Sequence, residues 1–207
     1  MTLELFQLDK NTNILPSDGV VENYGVVLSA HQADQYFQDF LEHFSWENDE
    51  VYLYGKHFIT ERKVVWYAHE NDSYQYSGST KKAMPWPISL LRLKLQIEEL
   101  TGHSFNSCLA NLYEHGQQAM GWHSDDEASL GHHAVIASLS LGATRKMGFK
   151  HKNKQDKIDI LLQHGQLLVM RGETQHYWKH CIYKSNKIIQ PRINLTFRYF
   201  YSKLKKN

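Results

Sequence analysis

Apolar side chains at Ala33, Tyr36, Phe37, Phe40, Leu41 and Phe44 recur at the spacing of one helix face. Ser29 and Gln32 stand ahead of them in capping-box order, so the pattern predicts a helix over residues 30–44. A second helix, 87–101, is predicted by Pro87 in a first-turn position, by Leu90, Leu93, Ile97 and Leu100, and by the stop at Gly102. Between the two, residues 51–80 are rich in aromatic and β-branched residues and are broken by Gly55, Asn71-Asp72 and Gly78, which reads as hairpins. After Gly102 the period shortens. Strands are expected at 107–114, 134–141, 144–151, 157–163, 166–171, 175–182 and 191–200, with no helical stretch between them. The expected fold is mostly β with flanking helices, an antiparallel jelly-roll with both helices outside one sheet. Residues 1–28, with turn signals at Pro16-Ser17-Asp18-Gly19, are expected to be irregular. One domain, 1–207, thus divides into an extension (1–28), a helix and hairpin region (29–102) and a β core (103–202).

Composition narrows the class. The chain has 207 residues, 42% hydrophobic and 22% charged, which suits one globular domain and excludes a disordered one. No apolar run approaches the roughly 20 residues that span a bilayer, so no membrane role is expected. The start, Met1 to Lys10, carries acidic residues and no cationic region, unlike a signal peptide. Two cysteines, Cys108 and Cys181, build no disulfide framework; a reducing cytoplasm, or a nucleus, is expected, and a monomer. Net charge is +1, but from Arg145 to Lys157 one arginine and five lysines face a single aspartate, and Lys203, Lys205 and Lys206 follow near the end. Such a patch can neutralise phosphates; a solvated hairpin is the plainer reading.

Strand parity carries the chemistry. In Arg192-Ile193-Asn194-Leu195-Thr196-Phe197-Arg198 the four polar residues share one face and the three apolar residues the other. Two guanidiniums on an inner face make a poor core but a good cradle for a dicarboxylate, which the guanidinium fork pairs bidentately. In the strand at 107–114, Cys108, Ala110 and Leu112 face one way, Asn111 and Tyr113 the other, where an amide and a phenol can serve a carboxylate or keto oxygen. His123-Ser124-Asp125 adds an imidazole and a carboxylate at a strand end. With one more histidine they form the two-histidine, one-carboxylate set that caps one face of iron(II) and leaves the other open. His164, His176 and His180 compete for that third position. His180 is preferred for its strand-like setting just before the arginine strand, and His176, of the same parity, is the fallback. Cys181 should point away from the metal, and His132 and His133 should be surface residues of a turn.

The segments Asn111-Leu112-Tyr113, Trp122-His123-Ser124-Asp125-Asp126-Glu127, Ile136-Ala137-Ser138-Leu139-Ser140-Leu141-Gly142 and Pro191 to Arg198 together resemble the AlkB family of 2-oxoglutarate/iron(II) dioxygenases, in the branch that repairs alkylated nucleic acid. The resemblance covers roughly residues 45–200. It implies a double-stranded β-helix core and iron(II) on His123, Asp125 and His180. It implies 2-oxoglutarate held by Asn111, Tyr113, Arg192, Asn194, Thr196 and Arg198, with dioxygen as the second co-substrate. It also implies that the hairpins recognise the nucleotide: Tyr74-Gln75-Tyr76-Ser77-Gly78 resembles the lid, with Tyr76 stacking on a flipped base, Tyr74 near its edge and Ser77 beside them. Leu53-Tyr54-Gly55-Lys56 resembles the finger that relatives insert into a duplex, which would make Tyr54 the wedge. For Tyr52 and Trp66 core packing is the preferred reading.

The implied activity is oxidative demethylation of bases such as N1-methyladenine and N3-methylcytosine in DNA. Succinate, carbon dioxide and formaldehyde are released and the base is restored directly. Methylation at those positions makes the base cationic. Asp126 and Glu127 would favour the cation, and Tyr76 could add a cation–π contribution of about 0.5–2 kcal/mol. The same chemistry on RNA is the runner-up. A catalytically silent nucleic-acid-binding module is disfavoured because every ligand and both arginines are present. A zinc hydrolase would leave Arg192 and Arg198 without a purpose.

Overall fold

The computed structural model describes residues 12–53, 56–68, 73–76 and 79–201, with the backbone alone described for 51–53, 73–76 and 79–82. The chain begins with β1 (Val20–Val26), α1 (Ala30–His43), the hairpin β2 (Glu47–Leu53) and β3 (Lys56–Tyr67), the short pair β4 (Ser73–Tyr76) and β5 (Ser79–Lys82), and α2 (Ile88–Thr101). The β core follows: β6 (Ser107–Tyr113), β7 (Met120–His123), β8 (Ile136–Gly142), β9 (Arg145–His151), β10 (Lys157–Leu162) and β11 (Gln166–Arg171). A helical turn, α3 (Thr174–Tyr177), leads into β12 (Trp178–Ile182) and β13 (Arg192–Arg198).

Two antiparallel sheets face each other. The larger has seven strands in the order β1-β11-β8-β13-β6-β3-β2, and the smaller has four in the order β10-β9-β12-β7. This is the expected jelly-roll, with β13 central between β6 and β8. Both helices lie on the outer face of the larger sheet. Phe40, Leu90, Leu93 and Ile97 are buried there against Ala110, Leu112, Leu139, Ile193, Leu195 and Phe197. Burying each large side chain stabilises the layer by about 1.5–3 kcal/mol. The capping box is formed: Gln32 donates its backbone N–H to Ser29 Oγ, and Ser29 donates its own to Gln32 Oε1. Gly102 ends α2 at φ +70°, the left-handed conformation that favours glycine at a helix stop. Gly142, at φ +84°, lets α1 approach the sheet, because a Cβ there would stand 2.6 Å from the Phe37 ring.

Three local readings change. Residues 20–26 are a strand rather than irregular chain: β1 extends the larger sheet along β11, and Val21 and Leu15 are buried between the sheets. The strand expected at 175–182 opens instead with α3, so His176 sits on a turn. The basic run 145–157 is a hairpin, as expected, but Arg145 is only 1% exposed and donates to the carbonyls of Gly116, Gln118 and Tyr183. It pins the β6–β7 loop and is not available to phosphate. Lys146 in the same run pairs with Asp159 at 2.8 Å. Among the described residues no helix is long and apolar enough to cross a membrane.

Candidate metal and co-substrate site

The site forms where the inner faces of the two sheets meet. His123 ends β7 and is paired in register with His180 on β12, which brings the two rings to 4.2 Å between centroids. Asp125 follows in the loop, with Oδ1 3.6 Å from His123 Nε2. The ligand atoms of His123, Asp125 and His180 all lie within 4.8 Å of one another, and among the described residues this is the one such cluster of three. His176 lines a different recess, with Asp126 and Glu127, and His164 is 3.2 Å from Asp34 while accepting the Gly142 N–H. The geometry therefore favours His180 as third ligand.

Neighbouring groups prepare these donors. His123 Nδ1 is 2.9 Å from the Gly121 carbonyl, so a proton on that nitrogen leaves Nε2 with a lone pair for a metal. Burial alone would raise the Asp125 carboxyl, but the Arg198 guanidinium and the two imidazoles outweigh it and hold the group down at about 2. Burial, aided by the neighbouring His123, pushes His180 down to about 3. An ionised carboxylate and a neutral imidazole are the forms that ligate a metal. Gln175 Oε1 accepts the Asp125 N–H at 2.9 Å, and Ser124 Oγ donates to the Trp178 carbonyl, fixing the loop between the two ligands. This donor set fits iron(II) with one face left open.

Beside it the arginine strand has the predicted parity. Asn194, Thr196 and Arg198 line one cavity with Asn111, Tyr113, His123, Asp125 and His180, while Ile193, Leu195 and Phe197 pack under the helices. Arg198 Nη2 donates to Asp125 Oδ2 at 2.7 Å. Arg192 lies six residues back along the strand, 1% exposed, with Nη2 donating to Ser140 Oγ at 2.9 Å and Asn194 Oδ1 at 2.6 Å. Its Nε and Nη1 have no hydrogen-bond partner among the described residues. Burial pushes this guanidinium down to about 10, opposed by Tyr113, whose ring lies 5.4 Å from it. A buried cation with two donors left over is costly unless an anion completes it. Arg198, which lines the cavity, and the leftover donors of Arg192, which is bonded to the lining residue Asn194, together suit the two ends of a dicarboxylate.

Several residues escaped sequence reasoning. Ser138 donates to Asn194, and Ser140 accepts from Arg192, both from the inner face of β8. The alternation in Ile136 to Gly142 carried that signal. Arg62 of β3 also lines the cavity, bonded to Asp49 and 3.0 Å from Met120 Sδ; nothing in its local sequence marks it. Asp126 and Glu127 line a separate recess with His132, His133 and His176, and Asp125 borders both this recess and the arginine cavity. Tyr54 and Ser77 lie outside the described residues. Tyr74 and Tyr76 lie on β4, whose backbone alone is described.

The model of the 2OG-Fe(II) oxygenase superfamily matches residues 21–198. Among curated relatives, the alpha-ketoglutarate-dependent dioxygenase alkB homolog 3 of Bos taurus is 41% identical over 180 residues, which are 82% of this chain and 62% of the relative. The DNA oxidative demethylase ALKBH2 of Homo sapiens is 34% identical over 193 residues, 88% of this chain and 74% of the relative. The chain thus spans less than two thirds of alkB homolog 3 and more of ALKBH2. Among solved structures, a 2OG-Fe(II) oxygenase family oxidoreductase from Burkholderia pseudomallei superposes with a TM-score of 0.57 at 15% identity, over 90% of this chain and 86% of that one. OsALKBH1 gives 0.60 at 16% identity, over 89% and 98%. At such identities the structural likeness speaks to the fold.

Proposed function

The chain belongs to the AlkB family of 2-oxoglutarate/iron(II) dioxygenases, and on that premise we propose that it removes N-alkyl groups from bases in DNA by direct oxidative reversal. N1-methyladenine and N3-methylcytosine are the proposed lesions. The observation that carries the reading is the compact cluster of His123, Asp125 and His180 in the cavity that Arg198 lines. When bound, iron(II) with 2-oxoglutarate and dioxygen supplies the oxidation of the alkyl group.

The chain's own residues divide the remaining work. His123, Asp125 and His180 would hold the metal. Arg198 keeps the Asp125 carboxylate ionised and oriented, and stands ready for the co-substrate carboxylate nearest the metal. Arg192 would receive the distal carboxylate on its Nε and Nη1, with Tyr113 beside it. Asn194 and Thr196 are bonded to each other at 2.8 Å and would set the position of the Arg192 fork; the inward amide of Asn111 would meet the co-substrate. Asp126 and Glu127 would give a cationic base a negative surround. Tyr76 would stack on the flipped base, with Tyr74 and Ser77 near its edge, and Tyr54 would wedge a duplex open. Flipping is required because a stacked base cannot reach the site.

The test is release of formaldehyde and unmethylated base from N1-methyladenine in single-stranded DNA, duplex DNA and RNA, all at one salt concentration. Turnover on DNA that requires both iron(II) and 2-oxoglutarate is the expected result. Turnover on RNA alone transfers the same chemistry to the other nucleic acid, and none on any of the three overturns the proposal.

A further inference from the structure

Two tyrosines that the proposed chemistry leaves unused stand just past the end of β13. Tyr199 and Tyr201 are 46% and 59% exposed, whereas Phe200 between them is buried with Trp66 and Leu130. The two tyrosine rings lie 5.0 Å apart between centroids, tilted by 56°. They are held from the backbone rather than trailing from a loose end. Asn106 clamps Phe200 twice, accepting its N–H at 2.6 Å and donating to its carbonyl at 2.8 Å. The Tyr201 N–H donates to the Ser129 carbonyl at 2.8 Å. One edge of the Tyr201 ring packs on Gly131, where an added Cβ would stand 3.2 Å from the ring.

Their place matters as much as their mounting. Tyr199 follows Arg198, which is bonded to Asp125, and Ser129 belongs to the short segment that continues from Asp125, Asp126 and Glu127. The backbone that carries the two rings is therefore joined on both sides to the chain that builds the site. Flipping one nucleotide leaves the next base in a single strand without a stacking neighbour. An aromatic face replaces that neighbour whatever the base, since every base has a π-face. We propose that Tyr199 and Tyr201 form a stacking platform for an unpaired base flanking the flipped nucleotide, with Tyr201 as the principal ring. The proposal rests on the nucleic-acid reading of the site.

The test is fluorescence anisotropy of a labelled, unmethylated single-stranded oligodeoxynucleotide, at low and at high salt. Tyr201→Ala weakens binding about tenfold, the order of one lost base stack, and by a similar factor at both salt concentrations, because stacking releases no counterions. Tyr201→Phe keeps the ring and stays close to wild type. Tyr201→Leu keeps an apolar contact to Gly131 without an aromatic face and behaves like Ala, which separates stacking from packing. Wild-type binding by Tyr201→Ala and Tyr201→Leu, an equal loss in Tyr201→Phe, or no binding by the wild type overturns the platform. Demethylation of the same strand carrying N1-methyladenine is measured in parallel. Tyr201-dependent binding without demethylation refutes the proposed activity and leaves the platform standing, and demethylation without Tyr201-dependent binding does the reverse.

Discussion

Arg198 and Asp125, 73 residues apart in sequence, are joined by a 2.7 Å hydrogen bond in which both side chains are nearly inaccessible to solvent. The same carboxylate would also ligate the proposed metal through its other oxygen. One residue thus serves as half of a buried ion pair and as the centre of the site.

That double duty separates two substitutions usually treated alike. Asp125→Ala and His123→Ala should both abolish turnover. Asp125→Ala also takes the buried Arg198 away from its carboxylate, a loss of about 3–5 kcal/mol, so it should unfold at markedly lower denaturant than His123→Ala. Urea unfolding of the metal-free proteins makes the comparison, and equal midpoints would contradict the account. Arg198→Lys keeps the charge and loses the fork, so it should raise the apparent KM for 2-oxoglutarate.

Arg192 predicts the opposite balance. Its guanidinium is buried with two donors left over, so Arg192→Met should leave the metal-free protein as stable as wild type or more stable by about 1–4 kcal/mol. It should also remove most of the rise in Tm that 2-oxoglutarate gives the wild type. Thermal unfolding with and without the co-substrate reads both effects. A retained co-substrate shift in Arg192→Met would show that the distal carboxylate binds elsewhere.

His180 gives the metal-free protein a pH dependence. Its folded-state value, about 3, lies below the ordinary 6.5, so the unfolded chain binds the proton first. Stability is fully present above pH 6.5 and falls as the pH drops from there towards 3, by up to one proton's slope. His180→Leu should flatten the curve of unfolding free energy against pH in that window. A wild-type slope retained in the variant would assign the dependence to other groups.

Tyr54 and Tyr76 are separated by substrate. Losing a wedge matters when a base pair must be opened, at a cost of a few kcal/mol that single strands largely avoid. Tyr54→Ala should therefore slow repair of duplex DNA while sparing single strands. Tyr76→Ala should slow both, by about 1–3 kcal/mol of lost stacking. Equal impairment of both substrates by Tyr54→Ala would make it a packing residue.

What could be read from the chain depended on whether a residue's neighbours in sequence were also its neighbours in function. The faces of Arg192 to Arg198 were legible because period two puts chemically opposite residues on opposite sides of one strand, and β13 is central enough to keep both sides buried. The helices were legible from their apolar stripes and caps. β7 was not: Met120-Gly121-Trp122-His123 is four residues long, contains a glycine and owes its strand form to pairing with β12, far along the chain. Arg145 was misread for the same reason. Its composition signals a charged hairpin, whereas the carbonyls it binds come from residues 116, 118 and 183. The hairpin side chains of the lid and finger rest on resemblance alone.

β7 carries one further consequence. It is the outermost strand of the smaller sheet, paired along one side only, and its register with β12 shifts between His180 and Ile182. A strand so short and one-sided belongs to the first parts of a fold to open. Yet a cation bound by His123 and His180 would rivet it to its neighbour at the pair on one side of that shift. The amide hydrogens of residues 120–123 should then exchange with solvent quickly in the metal-free protein and slowly once it is loaded. Local fraying of an edge would thereby report the occupancy of the centre.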